Sequence, residues 1–249
     1  MKEAGRVAAS IGIRVGNVFD KHMNEKHMNA NAQISVRKAA RAMARAGLST
    51  AFGHCSVRLD ADSFLVCRAG ALSTIKPGES GSVVPVRGRL PEGVLGEVRI
   101  HQQIYARRPE IGAICRFASP NVTAVSALGR APKIRHTFGA MFAPEVKYSD
   151  DTRLMRDDAI AAEVAQAMGD APGIIMRGIG AVTAGVDIKQ ALCLAWFLED
   201  MSRLELAVLS SGQAEQAPIY TAEEALGRST WAGQVAERAW DYLTALDPE

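Results

Sequence analysis

Glu97 and His101 lie four residues apart, so on a helix they share one face, a single turn from each other. A carboxylate held in an apolar cleft has a raised pKa and can pass protons, and an imidazole beside it extends that chemistry toward neutral pH. Blander roles stand beside these: a helix-start carboxylate favoured by the macrodipole for Glu97, and packing or backbone hydrogen bonding for His101. His54 follows Gly53 on a turn able to present backbone N–H groups to an anion. A neutral imidazole there is a general base, a polar substrate contact or a turn residue. The four cysteines, Cys55, Cys67, Cys115 and Cys193, form no CxxC pair and have no flanking histidine. Reduced, core-packed thiols are expected from them, not a disulfide frame, a zinc knot or a nucleophile. His22 and His27 are five apart, which suits no shared helix face and no metal site.

The elements that must position these groups can be read from periodicity and punctuation. Residues 1–32 are polar and irregular and read as a loosely docked arm. Ile34, Ala39, Ala40, Met43, Ala44 and Leu48 recur at helical spacing, with Lys38, Arg41 and Arg45 opposite and Gly47 as the stop. The runs 56–59 and 64–67 read as a hairpin around a polar turn, and 83–86 as a further strand. A helix is predicted over 97–107, ended by Pro109, then a strand over 111–117 and a helix from Ser119-Pro120. A long helix is expected over 152–168 with Gly169 as its stop, a buried strand over 174–176, an apolar helix over 187–209, and one closing helix over 223–246. Such interleaving gives an α/β domain with helices on both faces of a sheet.

Bulk properties exclude several partner classes. The chain has 249 residues, 48% of them hydrophobic, and a formal net charge of +2. That balance argues for neither nucleic acid nor an anionic membrane as partner. No apolar run approaches the roughly 20 residues of a membrane span, and the first residues carry no secretory pattern, so a cytoplasmic protein is expected.

The order of several motifs resembles the class II aldolase/adducin family over residues 34–212. Gly53-His54-Cys55-Ser56-Val57-Arg58 is similar to the family's Gly-Asn-Ile-Ser-Val-Arg loop and strand, and Arg68-Ala69-Gly70 to its Pro-Ser-Gly segment. Glu97, His101, Ile104-Tyr105 and Arg108-Pro109 match its Glu/His/Ile-Tyr/Arg-Pro block, and 176–182 resembles its late Arg-Gly-His-Gly-Ala-Val turn. His136 resembles a cleft-lining histidine of one subgroup. The resemblance implies a three-layer α/β fold with a central mixed or antiparallel sheet, covering 33–212, with 213–249 as a helical extension packed on it.

In the family's working enzymes a His-x-His pair and a third histidine hold a divalent metal that stabilises an enediolate. Here the pair falls on Arg116 and Ala118 and the third on Ile179, so the resemblance implies no metal in the usual place, and no cofactor is expected. Arg116 puts a fixed cation there, either an anchor for a carboxylate or oxyanion or the filler of a dead site closed by Glu97. Expected catalytic groups are therefore Glu97, His101, His54 and His136, and expected substrate contacts Arg116, Arg68, Gly53 and Ser56. The function implied is a metal-independent lyase cleaving a C–C bond in a small hydroxy or keto carboxylic acid, by decarboxylation or retro-aldol cleavage. A non-catalytic binding or scaffold protein is the alternative, since adducin keeps this fold in a structural role. The resemblance also implies a homotetramer, with the 191–209 helix and Trp231, Trp240 and Tyr242 as available contacts.

Overall fold

The computed structural model describes residues 29–249. Most of the expected arm, including His22 and His27, lies outside them. Helix α1 runs over 29–45 and buries Val36, Ala39, Ala40 and Met43 against the sheet. It ends where Gly47 takes φ +69°, a left-handed conformation open to glycine at little steric cost. Its other face is not left to solvent. Arg41 donates to Asp247 at 2.5 and 2.8 Å, Arg45 donates to the same carboxylate at 3.2 Å, and Arg37 pairs with Glu249. These charge-assisted bonds fasten the last residues over the helix.

Seven strands follow: β1 His54–Arg58, β2 Ser63–Val66, β3 Ser82–Pro85, β4 Ala113–Phe117, β5 Lys147–Ser149, β6 Gly173–Met176 and β7 Gly180–Gly185. They form one sheet in the order β3-β2-β1-β4-β7-β6-β5. Every neighbouring pair is antiparallel except β5 with β6, so the mixed sheet expected from the resemblance is present.

Strand alternation divides the sheet's neighbours into two cores. Cys55, Val57, Cys115 and Phe117 face one core with α1 and with helices α3 (Pro120–Ala127) and α5 (Ile188–Ser210). The opposite face carries Phe64, Val66, Ile114, Ile174 and Val182 against α2 (Arg99–Arg107) and α4 (Asp158–Met168). Three layers result. All four cysteines are free and buried, and burial pushes the Cys193 thiol up to about 12.

Several element boundaries differ from the sequence reading. The helix expected over 152–168 begins at Asp158, because Asp157 accepts hydrogen bonds from the Ala159 and Ile160 amides and so caps it there. The single closing helix is two, α6 (Ala222–Arg228) and α7 (Val235–Thr244), the first ended near Ser229 and the second entered through Gln234 at φ 58°. Strand β7 was not anticipated, since its Gly180-to-Gly185 run lacks bulky β-branched repeats. Helix α5 spends its apolar side, from Ile188 to Met201, on this chain's own core rather than on a free face. Among the described residues no helix is long and apolar enough to cross a membrane.

Candidate active site

Four chain segments meet at one end of the sheet: the start of β1, the end of β4, the β6–β7 turn, and the short 3₁₀ turn Gly96–Val98 that leads into α2. Between them, with the loops after β2 and before α4, lies a cleft of about 720 Å³. Its walls include Phe52, Leu95, Leu154 and Ile179, and its polar groups are His54, Glu97, Arg116 and Arg156. An apolar hollow with a few converging polar groups is the usual form of a small-molecule site.

His54 and Arg116 are direct partners across β1 and β4, which puts both side chains on the α2 side of the sheet. The loop ahead of His54 is held tightly. A Cβ on Gly53 would lie inside contact distance of Ser49 Oγ and 3.0 Å from the Arg116 carbonyl. Gly53 therefore lines the cleft as bare backbone, and glycine is required by that close approach.

Arg116 lies in this cleft without a carboxylate partner among the described residues. Its Nη2 donates to the Ile179 carbonyl at 3.3 Å, while its buried Nε has no hydrogen-bond partner among the described residues. Burial lowers its pKa, with the Glu97 charge opposing that shift. Glu97 pairs instead with Arg156, Oε1 to Nε at 2.8 Å. The dead-site arrangement, Arg116 closed on Glu97, is thus absent among the described residues.

The expected upward shift of Glu97 is corrected. Burial does push its carboxyl up, but the hydrogen bond from Arg156, a backbone donor, and the charges of Arg156 and Arg116 together outweigh that, and the net shift is downward. At neutral pH Glu97 is a carboxylate, equipped to accept a proton. It also does not share a helix face with His101, because it sits on the 3₁₀ turn before α2 begins at Arg99.

His101 is buried inside the protein, 0% exposed, behind His54 rather than beside the cleft. Its Nε2 is 2.9 Å from His54 Nδ1, and its Nδ1 is 2.6 Å from Ser56 Oγ, which in turn is 2.9 Å from the Tyr105 hydroxyl. Ser56 is therefore a buried support and not a substrate contact of this cleft. Burial and then the Arg116 charge bring His101 down to about 3. Burial, His101 and Arg116 hold His54 well below the usual histidine range. Both rings are neutral at pH 7, and His54 Nε2 is buried without a partner among the described residues.

Two expected site residues stand apart from the cleft. Arg68 is pinned within its own loop, donating to Glu79 at 2.9 Å, Thr74 at 3.0 Å and the Ala69 carbonyl at 3.1 Å. It shapes the turn that brings Gly70 and Ala71 to the rim. His136 precedes the 3₁₀ turn Thr137–Phe142 and lies 4.0 Å from Asp200 on α5. Its segment is drawn there by Arg135, which donates to Glu205 at 2.8 Å, and by Tyr220 N–H donating to the Ile134 carbonyl at 2.8 Å. Burial lowers the His136 pKa; Asp200 opposes that and Arg203 adds to it.

Two contributors escaped the sequence reading. Arg156 precedes α4 in a stretch read as helix, and its pairing with Glu97 spans 59 residues. Tyr105 carries no sequence signal beyond its place in the Ile-Tyr motif. It sits four residues after His101 on α2, just as Ser56 sits two after His54 on β1, so helix and strand periods bring all four to one place. Arg58 fixes Tyr105 from above. Its guanidinium carbon lies 4.6 Å from the ring centroid and its nitrogens donate to the Tyr105, Arg108 and Ile111 carbonyls.

Arg116, Ala118 and Ile179, the positions that correspond to the family's three metal-holding histidines, all line this one cleft. A guanidinium stays protonated and the other two carry no donor atom, so these residues do not fit the metal. Among the described residues no group of three or more His, Cys, Asp or Glu side chains is arranged to hold an ion.

Comparison with known proteins agrees with this architecture. The chain is 29% identical over 205 residues to a 3,4-dihydroxyphthalate decarboxylase of Arthrobacter keyseri, covering 75% of this chain and 82% of that one. It is 26% identical over 204 residues to human beta-adducin, covering 76% of this chain and 28% of adducin. Among solved structures, an L-fuculose 1-phosphate aldolase from Glaciozyma antarctica superposes with a TM-score of 0.76 at 22% identity, covering 89% and 92% of the two chains. The model of the class II aldolase and adducin N-terminal domain matches residues 35–206, and the chain belongs to that family.

Proposed function

We propose that the protein is a lyase that cleaves a C–C bond in a small hydroxy or keto carboxylic acid, by decarboxylation or retro-aldol cleavage, without a bound metal. The observation that carries this reading is the Arg116 guanidinium, which lines the cleft beside His54 and has no carboxylate partner among the described residues, Glu97 being paired with Arg156. With Arg156 against Glu97, the lining carries an excess of one positive charge, suited to a substrate anion. The decarboxylase relatives act, by name, on an aromatic acid that carries both carboxylate and hydroxyl groups.

Both reactions pass through an enolate-like anion, and the chemistry needs a fixed positive field where that charge develops. Arg116 and the His54 ring supply it from protein atoms alone. In retro-aldol cleavage, ionised Glu97 takes the proton of the substrate hydroxyl and the alkoxide collapses to a carbonyl as the C–C bond breaks. The electron pair passes to the enolate, which Glu97 reprotonates at carbon. In decarboxylation the carboxylate leaves as CO₂, its electron pair enters the same enolate, and a solvent proton completes the product. The apolar wall of Phe52, Leu154 and Ile179 favours loss of charge from a carboxylate lying against it.

The test is turnover of a panel of hydroxy, keto and dihydroxyaromatic carboxylic acids by the purified protein, reading CO₂ and aldehyde release. Turnover that survives a chelator and disappears in Arg116→Ala supports the proposal. Turnover abolished by the chelator and restored by zinc overturns its metal-free part. Binding without turnover of any member favours the alternative, a non-catalytic binding protein, to which the beta-adducin similarity lends support. Tetrameric assembly and a cytoplasmic location remain parts of this reading, to be measured by light scattering and fractionation.

A further inference from the structure

A line of four hydrogen-bonding side chains connects the core to the cleft: Tyr105, Ser56, His101 and His54, joined at 2.9, 2.6 and 2.9 Å. Their exposures are 1%, 0%, 0% and 3%. With both imidazoles neutral, each member has one hydrogen to donate. Three arrangements of those hydrogens make all three bonds. If the line runs outward from Tyr105, the phenol donates to Ser56, Ser56 to His101 Nδ1, and His101 Nε2 to His54 Nδ1. The spare hydrogen then sits on His54 Nε2, itself buried and unpartnered among the described residues but carried by a residue of the cleft wall, and the three donors behind it are all used. If the line runs inward from His54, the Tyr105 hydroxyl hydrogen is left in an apolar core with no acceptor among the described residues. If both ends donate toward Ser56, the serine hydrogen is the one stranded.

Only the outward arrangement puts the spare hydrogen on a residue of the cleft wall, where water or a ligand entering the cleft can accept it; an interior donor that nothing can reach is disfavoured against it by roughly tenfold to a hundredfold. We infer that Tyr105, Ser56 and His101 form a one-way hydrogen-bond chain that holds His54 as its Nε2–H tautomer, so that His54 and Arg116 together select a ligand group presenting an anionic oxygen. Tyr105, Ser56 and His101 are positioning residues, because they act on the ligand through His54. The assignment narrows the chemistry of His54, which then donates in the cleft and leaves proton abstraction to Glu97. The tautomer follows from the protein's own hydrogen bonds, while its use in oxyanion stabilisation rests on the lyase reading above.

The test is long-range ¹H–¹⁵N correlation spectroscopy of the full-length protein labelled with [¹⁵N]histidine, at pH 7 and without ligand. A protonated Nε2 and a bare Nδ1 on both His54 and His101 are expected. A His54 signal with hydrogen on Nδ1 overturns the inference and leaves the lyase proposal standing. The expected tautomer in a protein that turns over no acid does the reverse. In Ser56→Ala, His101 Nδ1 loses its donor, and the His54 pattern is expected to become a mixture of tautomers. Acetate, titrated as the probe, then binds about twofold more weakly if half the population remains competent. A variant that folds and keeps the pure wild-type pattern shows that the chain does not set the tautomer. If that variant does not fold, the wild-type spectrum alone decides.

Discussion

Arg116→Met separates a site kept for ligand from a site that merely fills space. Methionine approximates the length of the arginine stem and removes the charge. In the native fold the guanidinium is largely buried, and among the described residues its Nε is unpartnered and its one hydrogen bond, to the Ile179 carbonyl, is 3.3 Å long. Removing an unsatisfied buried donor relieves about 1–3 kcal/mol, and losing one modest hydrogen bond costs about 0.5–1.5 kcal/mol. The expected net is a stabilisation of about 1 kcal/mol, read as a Tm increase of roughly 2–4 °C for a chain this long. Buried ion sites replaced by apolar groups of similar volume behave the same way. Affinity should move oppositely. One or two charge-assisted hydrogen bonds to a carboxylate are worth about 1.5–3 kcal/mol each, so a carboxylate ligand should bind at least about tenfold more weakly. Differential scanning calorimetry and isothermal titration read the two effects on the same samples. A Tm that falls by several degrees, with ligand binding unchanged, refutes the reasoning and makes Arg116 a structural residue.

The pH dependence of cleavage should report Glu97. Its folded pKa is depressed, so the basic form and the activity persist as pH falls through 4.5 and disappear only below it. Arg156→Ala removes the hydrogen bond that opposes burial, so the acidic limb of kcat/KM should move to higher pH; a limb that does not move refutes the assigned role of Arg156. His101 gives a stability signature of its own. Its folded pKa of about 3 lies below the ordinary histidine value of 6.5, so its contribution is fully present above pH 6.5 and is lost progressively between 6.5 and 3. Urea denaturation across that window should show stability falling by up to about 1.4 kcal/mol per pH unit from this group. His101→Asn should flatten the slope, and an unchanged slope contradicts the burial of a neutral ring.

Sequence legibility followed the range of the interactions. Strands β1, β2, β4 and β6 and helices α1, α2 and α5 could be read from apolar periodicity, because each buries one continuous face or lies wholly in the core. Strands β5 and β7 could not. The first has three half-buried residues beside a parallel partner, and the second is rich in glycine and alanine, whose small size packs against α5 without leaving a strand-like pattern. The start of α4 was misplaced because the capping of two amides by Asp157 outweighed a helical pattern that continues upstream.

For the site, the motifs by themselves identified Gly53, His54, Glu97 and Arg116 as residues to be gathered, since their order along the chain carries the family's loops. They also determined that arginine, alanine and isoleucine stand where the metal-holding histidines would be. Only the tertiary structure decided what those residues face. A register pairs His54 with Arg116 across two strands. A salt bridge spanning 59 residues takes Glu97 away from Arg116 and lowers its pKa. The paired segments 134–135 and 205–220 carry His136 to another surface. Residue types and local spacing are written in the sequence, but partner choice and desolvation depend on distances between segments far apart in the chain, and these exist only once the fold has formed.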